Sequence, residues 1–182
     1  MSLKHALLGF LNYQPMTGYE LKQMMDISTS NFWHAKQSQI YTTLKKMEEN
    51  GFIVSEIEEQ NGRPNRRVYS IAESGRTTLQ TWLARPVLEL QAHKELLLLK
   101  LFFSAGQDKQ ALLTQLNLQR DLHQQQLAVY QNETKAVIEQ FAGMMPDGEQ
   151  NAILWDATRR FGVMYEQTSI EWLNETIQKL EE

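Results

Sequence analysis

At 182 residues, with 42% hydrophobic and 22% charged residues, the chain is long enough for one domain with an extension or for two small domains, and too apolar for wholesale disorder. It has no cysteine, which excludes a disulfide framework, a thiolate metal site and a cysteine nucleophile. The net charge of −4 hides an asymmetry: residues 1–85 carry ten Lys and Arg against eight Asp and Glu, whereas residues 86–182 carry eight against fourteen. A polyanion would therefore meet the first half, at +2, and not the second, at −6.

Leu3, Ala6, Leu7, Phe10 and Leu11 recur at helical spacing, so residues 3–12 read as a short amphipathic helix, closed by Gln14-Pro15. Thr17-Gly18-Tyr19-Glu20 matches a capping box and opens a second helix, whose apolar face runs through Leu21, Met24 and Met25 to about Ser28. A third helix is expected with Ser38 as its N-cap, Ile40, Tyr41, Leu44 and Met47 at 3–4 spacing, and Asn50-Gly51 as its stop. Phe52 to Ile57 reads as a strand, residues 60–65 as a turn, and Arg67 to Ile71 as a second strand. A fourth helix over 73–85 is punctuated by Pro86. Helix, helix, helix, strand, turn, strand is the order of a winged helix-turn-helix.

The second half lacks a comparable turn cluster. Residues 92–104 read as a compact apolar helix broken by Ala105-Gly106. From Asp108 to about Ala142 one long helix is expected, with a discontinuous apolar stripe of Leu112, Leu116, Leu127, Tyr130, Val137 and Phe141, and with His123 and Thr134 on the same seam. After a turn at 143–148, a last helix over about 150–180 carries Leu154, Phe161, Tyr165, Trp172 and Leu180. Helices of this length need partners for their stripes, which here means each other and a second copy of the chain. The expected dimer contacts are Leu112, Leu116, Leu127, Tyr130, Phe161, Tyr165 and Trp172. The fold class is thus mainly α: a winged-helix domain with a small two-stranded wing over 1–86, then an antiparallel helical dimerisation domain over 87–182.

Two constellations point to nucleic acid. In a helix-turn-helix the second helix of the unit enters the major groove. Here it presents Gln37, Ser38, Gln39, Tyr41, Thr42 and Lys45, with Lys36 and Lys46 beside them and no acidic residue from Lys36 to Lys46. The hairpin tip Gly62-Arg63-Pro64-Asn65-Arg66-Arg67 sets three arginines in five positions, suited to phosphate contact or minor-groove insertion. Glu56, Glu58 and Glu59 of the preceding strand are expected to point away from DNA, with Arg67 paired to one of them across the strands. His5, His34, His93 and His123 have no metal-ligand spacing, and no phosphate loop or nucleophile elbow is present, so neither an enzyme nor a cofactor is expected. The first residues, Met1 to His5, show no secretory leader, and the longest apolar cluster, broken by Lys100, is too short to span a bilayer; a cytoplasmic place is expected.

The stretches Thr17-Gly18-Tyr19-Glu20-Leu21, Phe32-Trp33-His34-Ala35, Ser38-Gln39-Ile40-Tyr41, residues 44–51 and residues 62–71 resemble PadR-type transcription regulators. The second half, with Trp155, Phe161 and Trp172 on its last helix, resembles the virulence-activator (AphA-like) branch of that family. The resemblance implies that Tyr41 approaches the DNA backbone and that Arg63, Arg66 and Arg67 belong to a DNA-contacting wing. It also implies an antiparallel dimer of the C-terminal helices on a pseudo-palindromic operator, and repression as the commoner outcome. Some PadR-type regulators bind planar aromatic effectors between the DNA-binding and dimerisation parts, for which Met24, Met25, Phe32, Trp33, Phe102 and Phe103 are the candidates here. Ala72 stands where the family usually has a Thr capping the fourth helix, a loss of about 1 kcal/mol. A partner-dependent activator and a winged-helix protein-interaction module without DNA binding are the alternatives.

Overall fold

The computed structural model describes residues 2–29, 32–59, 65–90, 94–144 and 147–182. The chain forms two compact units, residues 1–91 and 92–182. The first contains α1 (Leu3–Tyr13), β1 (Met16–Thr17), α2 (Gly18–Ser28), α3 (Gln37–Glu49), β2 (Ile53–Glu58), β3 (Arg66–Ile71) and α4 (Glu73–Leu83). The second contains α5 (Leu96–Phe102), α6 (Lys109–Gln131), α7 (Glu133–Ala142) and α8 (Gly148–Glu181).

In the first unit Leu7, Leu8 and Leu11 of α1, Leu21 and Met25 of α2, and Ile40, Leu44 and Met47 of α3 meet Ile53, Tyr69, Ile71 and Leu79 in one core. The helix ends are chemically specified. The Thr17 hydroxyl accepts from the Glu20 amide at 3.2 Å, and the Glu20 carboxylate accepts from the Thr17 amide at 2.7 Å, completing the expected capping box. At the end of α3 the Phe52 amide reaches the Met47 carbonyl at 2.9 Å and the Gly51 amide the Glu48 carbonyl at 2.9 Å. This double closure turns on a left-handed residue, and Gly51 supplies it at φ 72° without a Cβ penalty. The wing is not two-stranded alone: β1 adds to β3, giving the antiparallel order β1-β3-β2. Despite Ala72, α4 begins at Glu73, where the Arg76 amide takes the Ala72 carbonyl at 3.0 Å.

Boundaries shift by one or two residues from the expected ones, and at α3 the cause is visible. Helix α3 starts at Gln37, ahead of the expected Ser38 cap, because the Gln39 side chain reaches back to accept from the Lys36 amide at 2.9 Å.

In the second unit α6 and α8 run antiparallel, as successive cross-links show: Lys109 to the Glu181 carbonyl, Arg120 to Asn174, His123 to Glu166, and Arg159 to the Tyr130 carbonyl. Leu113, Leu116, Leu173 and Ile177 form the core, flanked by Leu97, Leu101, Leu112, Trp172 and Leu180. The expected single helix over 108–142 is broken at Asn132. There φ stretches to −109°, the Asn132 side chain donates to the Ala128 carbonyl at 2.9 Å, and Thr134 donates to the Val129 carbonyl at 3.3 Å. Polar side chains that compete for helix carbonyls weaken a ladder in this way. Helix α5 is also shorter than expected. Its last turn tightens, with the Phe103 amide on the Lys100 carbonyl, and the Ser104 hydroxyl closes on that same carbonyl.

Candidate nucleic-acid interface

Helix α3 has one buried stripe, Ile40, Leu44 and Met47, and an exposed face opposite it. Ser38, Tyr41, Thr42 and Lys45 fall at i, i+3, i+4 and i+7, so they form one row along that face, joined at the N-terminal end by Lys36 and Gln37. No acidic residue lies in the first turn, where the helix dipole places partial positive charge. Glu49 stands at the far end and reaches Lys45 at 3.9 Å. Among the described residues Lys36 and Lys46 stand in no ion pair. Gln39 differs from the expected reader, since its carbonyl oxygen is committed to capping α3.

Tyr41 is 43% exposed, and its ring rests against the backbone at Gly18. A Cβ at residue 18 would lie 2.6 Å from Tyr41 Cε1, so the glycine at the start of α2 leaves room for this tyrosine. The pair joins the two helices of the helix-turn-helix at its outer surface.

On the wing, Asn65 is exposed at the start of β3, and Arg63 lies outside the described residues. Arg66 and Arg67 follow on opposite faces of β3. Arg66 pairs with Glu58, directly across the ladder, at 2.9 Å, and approaches Glu20 at 4.0 Å. Arg67 does not pair with a strand glutamate as expected. Its register partner is Ile57, so it shares a face with Ser55 and Ile57, while Glu56 and Glu58 lie on the other. From there it donates to Glu48 of α3 at 2.7 Å and to the Ser55 hydroxyl at 2.8 Å, with its guanidinium 5.5 Å from the Tyr69 ring. The Ser55 hydroxyl in turn donates to Glu48. The Thr17 amide, its hydroxyl and Arg66 together hold the Glu20 carboxyl below its ordinary value. The Ser55 hydrogen bond, then Arg67, does the same for Glu48.

The expected dimer contacts divide. Leu116 and Tyr130 are buried within the chain, and Leu112 and Trp172, half-buried, pack on the α6–α8 core. Leu127 is half-buried in a shallow groove with Gln167 and Ile170. Tyr165 donates to Glu95 at 2.9 Å and is 39% exposed; Phe161 is exposed. Further large apolar side chains are exposed in this unit, Leu118 and Leu122 on α6 and Ile153 and Met164 on α8, besides the Leu154 and Phe161 that the sequence singled out. Of the expected effector residues, Met24 packs on the first core, Phe32 and Trp33 are half exposed on the first unit, and Phe102 and Phe103 are exposed on the second, edge to face at 5.1 Å.

No group of His, Asp and Glu among the described residues could hold a metal ion. His5 stacks on Trp82, with ring centroids 4.6 Å apart, and His123 meets the buried Glu166. Among the described residues no helix is long and apolar enough to cross a membrane.

The Transcriptional regulator PadR-like family model matches residues 7–81, and the Virulence activator alpha C-term model matches residues 93–181. The Mycobacterium tuberculosis protein named Probable transcriptional regulator Rv1176c is 33% identical over 192 residues, covering 100% of this chain and 99% of that protein. Bacillus subtilis PadR has been solved with operator DNA, where the likeness has a TM-score of 0.82 at 24% identity over 99% of both chains. Solved with p-coumaric acid, the same protein gives 0.76 at 24% identity over 100% of both. The Vibrio cholerae virulence activator AphA gives 0.70 at 25% identity, over 99% of this chain and 98% of that one.

Proposed function

The chain belongs to the PadR family of transcriptional regulators, with a second half of the virulence-activator type, and on that premise we propose that it is a homodimeric repressor which binds a pseudo-palindromic operator through α3. It is a regulator and not an enzyme. The observation that carries the reading is the row of Ser38, Tyr41, Thr42 and Lys45, which is hydrogen-bonding, free of acid and set opposite the buried Ile40, Leu44 and Met47. Such a helix can lie in a major groove with Lys36 and Gln37 at its positive end, while Asn65 and Arg66 reach the flanking backbone. Arg63 joins them on the sequence argument alone.

The exposed Ile153, Leu154, Phe161 and Met164 of α8 support a second copy, because apolar side chains gathered outside the core of a free chain mark a contact with protein. Two copies place two recognition helices on successive half-sites about one turn apart. The exposed aromatic pairs Phe32 with Trp33 and Phe102 with Phe103 support a small aromatic effector. The p-coumaric acid complex of Bacillus subtilis PadR makes phenolic acids the first compounds to try. The likeness to AphA over nearly the whole chain favours one second reading, an activator that works beside another DNA-bound protein.

Fluorescence anisotropy on a duplex from upstream of the protein's own gene, titrated from about 50 to 200 mM salt, tests the reading. Wild-type affinity should fall steeply, and Lys36→Ala should lower the log–log slope by about 0.9. Weak, salt-insensitive binding by the wild type would overturn operator recognition.

A further inference from the structure

We infer that Arg67 is a positioning residue that holds the wing against the end of the recognition helix through Glu48 and Ser55, and is not one of the groups that neutralise operator phosphate. This rests on the DNA-binding reading and concerns what sets its geometry.

The guanidinium is engaged on two sides. Two of its nitrogens donate to two different acceptors, Nη2 to Glu48 Oε2 at 2.7 Å and Nε to the Ser55 hydroxyl at 2.8 Å. The Ser55 hydroxyl donates a hydrogen bond to the other oxygen of the same carboxylate. The triangle therefore closes, with each member oriented by the other two. It joins three elements, the C-terminal end of α3, β2 and β3, over a separation of 19 residues between Glu48 and Arg67. The planar fork lies over Tyr69, whose ring is buried, so the guanidinium has a floor as well as two walls. A phosphate that drew Arg67 away from Glu48 would open this triangle.

Glu48 makes the inference testable by sign. It is an acid at the edge of an interface that would meet a polyanion. If its only influence were its charge, removing that charge would tighten DNA binding. If it anchors the wing through Arg67, removing it loosens the angle between wing and helix, and binding weakens. Lysine makes a second contrast. It keeps the positive charge and the stem over Tyr69, but an ammonium on a flexible chain cannot span two acceptors as a planar fork does.

The experiment measures operator affinity against salt for wild type, Glu48→Gln, Arg67→Lys and Arg67→Ala, with a thermal melt of each to show that it is folded. The expected result is a loss of roughly fivefold in all three at every salt concentration, with the log–log slope of the wild type retained. Arg67→Lys is the variant that keeps the test alive should Arg67→Ala melt. Tighter binding by Glu48→Gln, wild-type affinity in Arg67→Lys, or a slope lower by about 0.9 in Arg67→Ala would each overturn the assignment and return Arg67 to the phosphate contacts. If the wild type itself shows no salt-dependent binding, the operator reading fails first and the positioning role falls with it.

Discussion

Helices α3 and α8 state the difference between the two halves of this protein. Helix α3 has one apolar stripe, and Ile40, Leu44 and Met47 are all taken into the core of their own unit, leaving a polar face. Helix α8 has two. Leu173 and Ile177 close on α6, whereas Ile153, Leu154, Phe161 and Met164 remain outside. A one-striped helix can offer its other face to a polar partner; a two-striped helix needs a second apolar one. The contrast fits the proposed division, with recognition in the first half and assembly in the second.

The contrast breaks most readily in the cores. Leu44→Ala should lower the stability of the first unit by about 3 kcal/mol, seen as a fall in melting temperature, because Leu44 is wholly buried and its neighbours cannot all close the cavity. Gly75→Ala should follow at about 2 kcal/mol, since a Cβ there would sit 2.2 Å from the Phe52 carbonyl oxygen and a backbone atom cannot swing aside. Phe161→Asp should do something different in kind. Its side chain touches no core in the single chain, so helix content should persist at high concentration while the dimer weakens at least about tenfold in sedimentation equilibrium. A Phe161→Asp protein that stays dimeric would show that these exposed side chains are not the interface.

Smaller effects sharpen the reading head. Gly18→Ala should push the Tyr41 ring from its seat and weaken operator binding a few-fold in anisotropy, with little change in melting temperature, because the clash falls on the far end of a side chain. Acid should reveal the two held carboxyls. Both Glu20 and Glu48 have folded values below the ordinary 4.5, so the stability they contribute is complete above that value and is lost as pH falls through their lower folded values. A double Glu20→Gln, Glu48→Gln variant should lose less stability between pH 5 and pH 3 than the wild type, by about a fraction of a kcal/mol in a denaturant titration.

Much of the first unit was legible because its signals are local. Thr17 and Glu20 are three residues apart, Asn50-Gly51 ends a helix by itself, and the wing is two apolar runs around a turn. The missed features are those that depend on distant residues or on parity. Arg67 was expected to meet a strand glutamate, but pairing with Ile57 places it on the face away from Glu56 and Glu58. Had the register been counted back from the tip, this parity would have excluded those partners; Glu48 itself could come only from the fold. In the second unit the spacing did not separate the side chains that close on the core from those that stay outside. Leu116 and Tyr130, buried within the chain, were therefore grouped with the exposed Phe161. Spacing alone cannot tell the two faces of such a helix apart, since both are apolar. The break at Asn132 escaped notice because neither Pro nor Gly marks it; Asn132 and Thr134 do so through side-chain bonds to carbonyls.

The central claim is that α3 reads a palindrome as one of a symmetric pair. Nuclease footprinting of the purified protein on the promoter of its own gene tests this most directly. Two protected half-sites centred about one helical turn apart, 10–10.5 base pairs, both lost in Lys36→Ala and Tyr41→Ala proteins that remain dimeric, is the predicted result. Uniform or absent protection, or a footprint that those two substitutions leave unchanged, would contradict it.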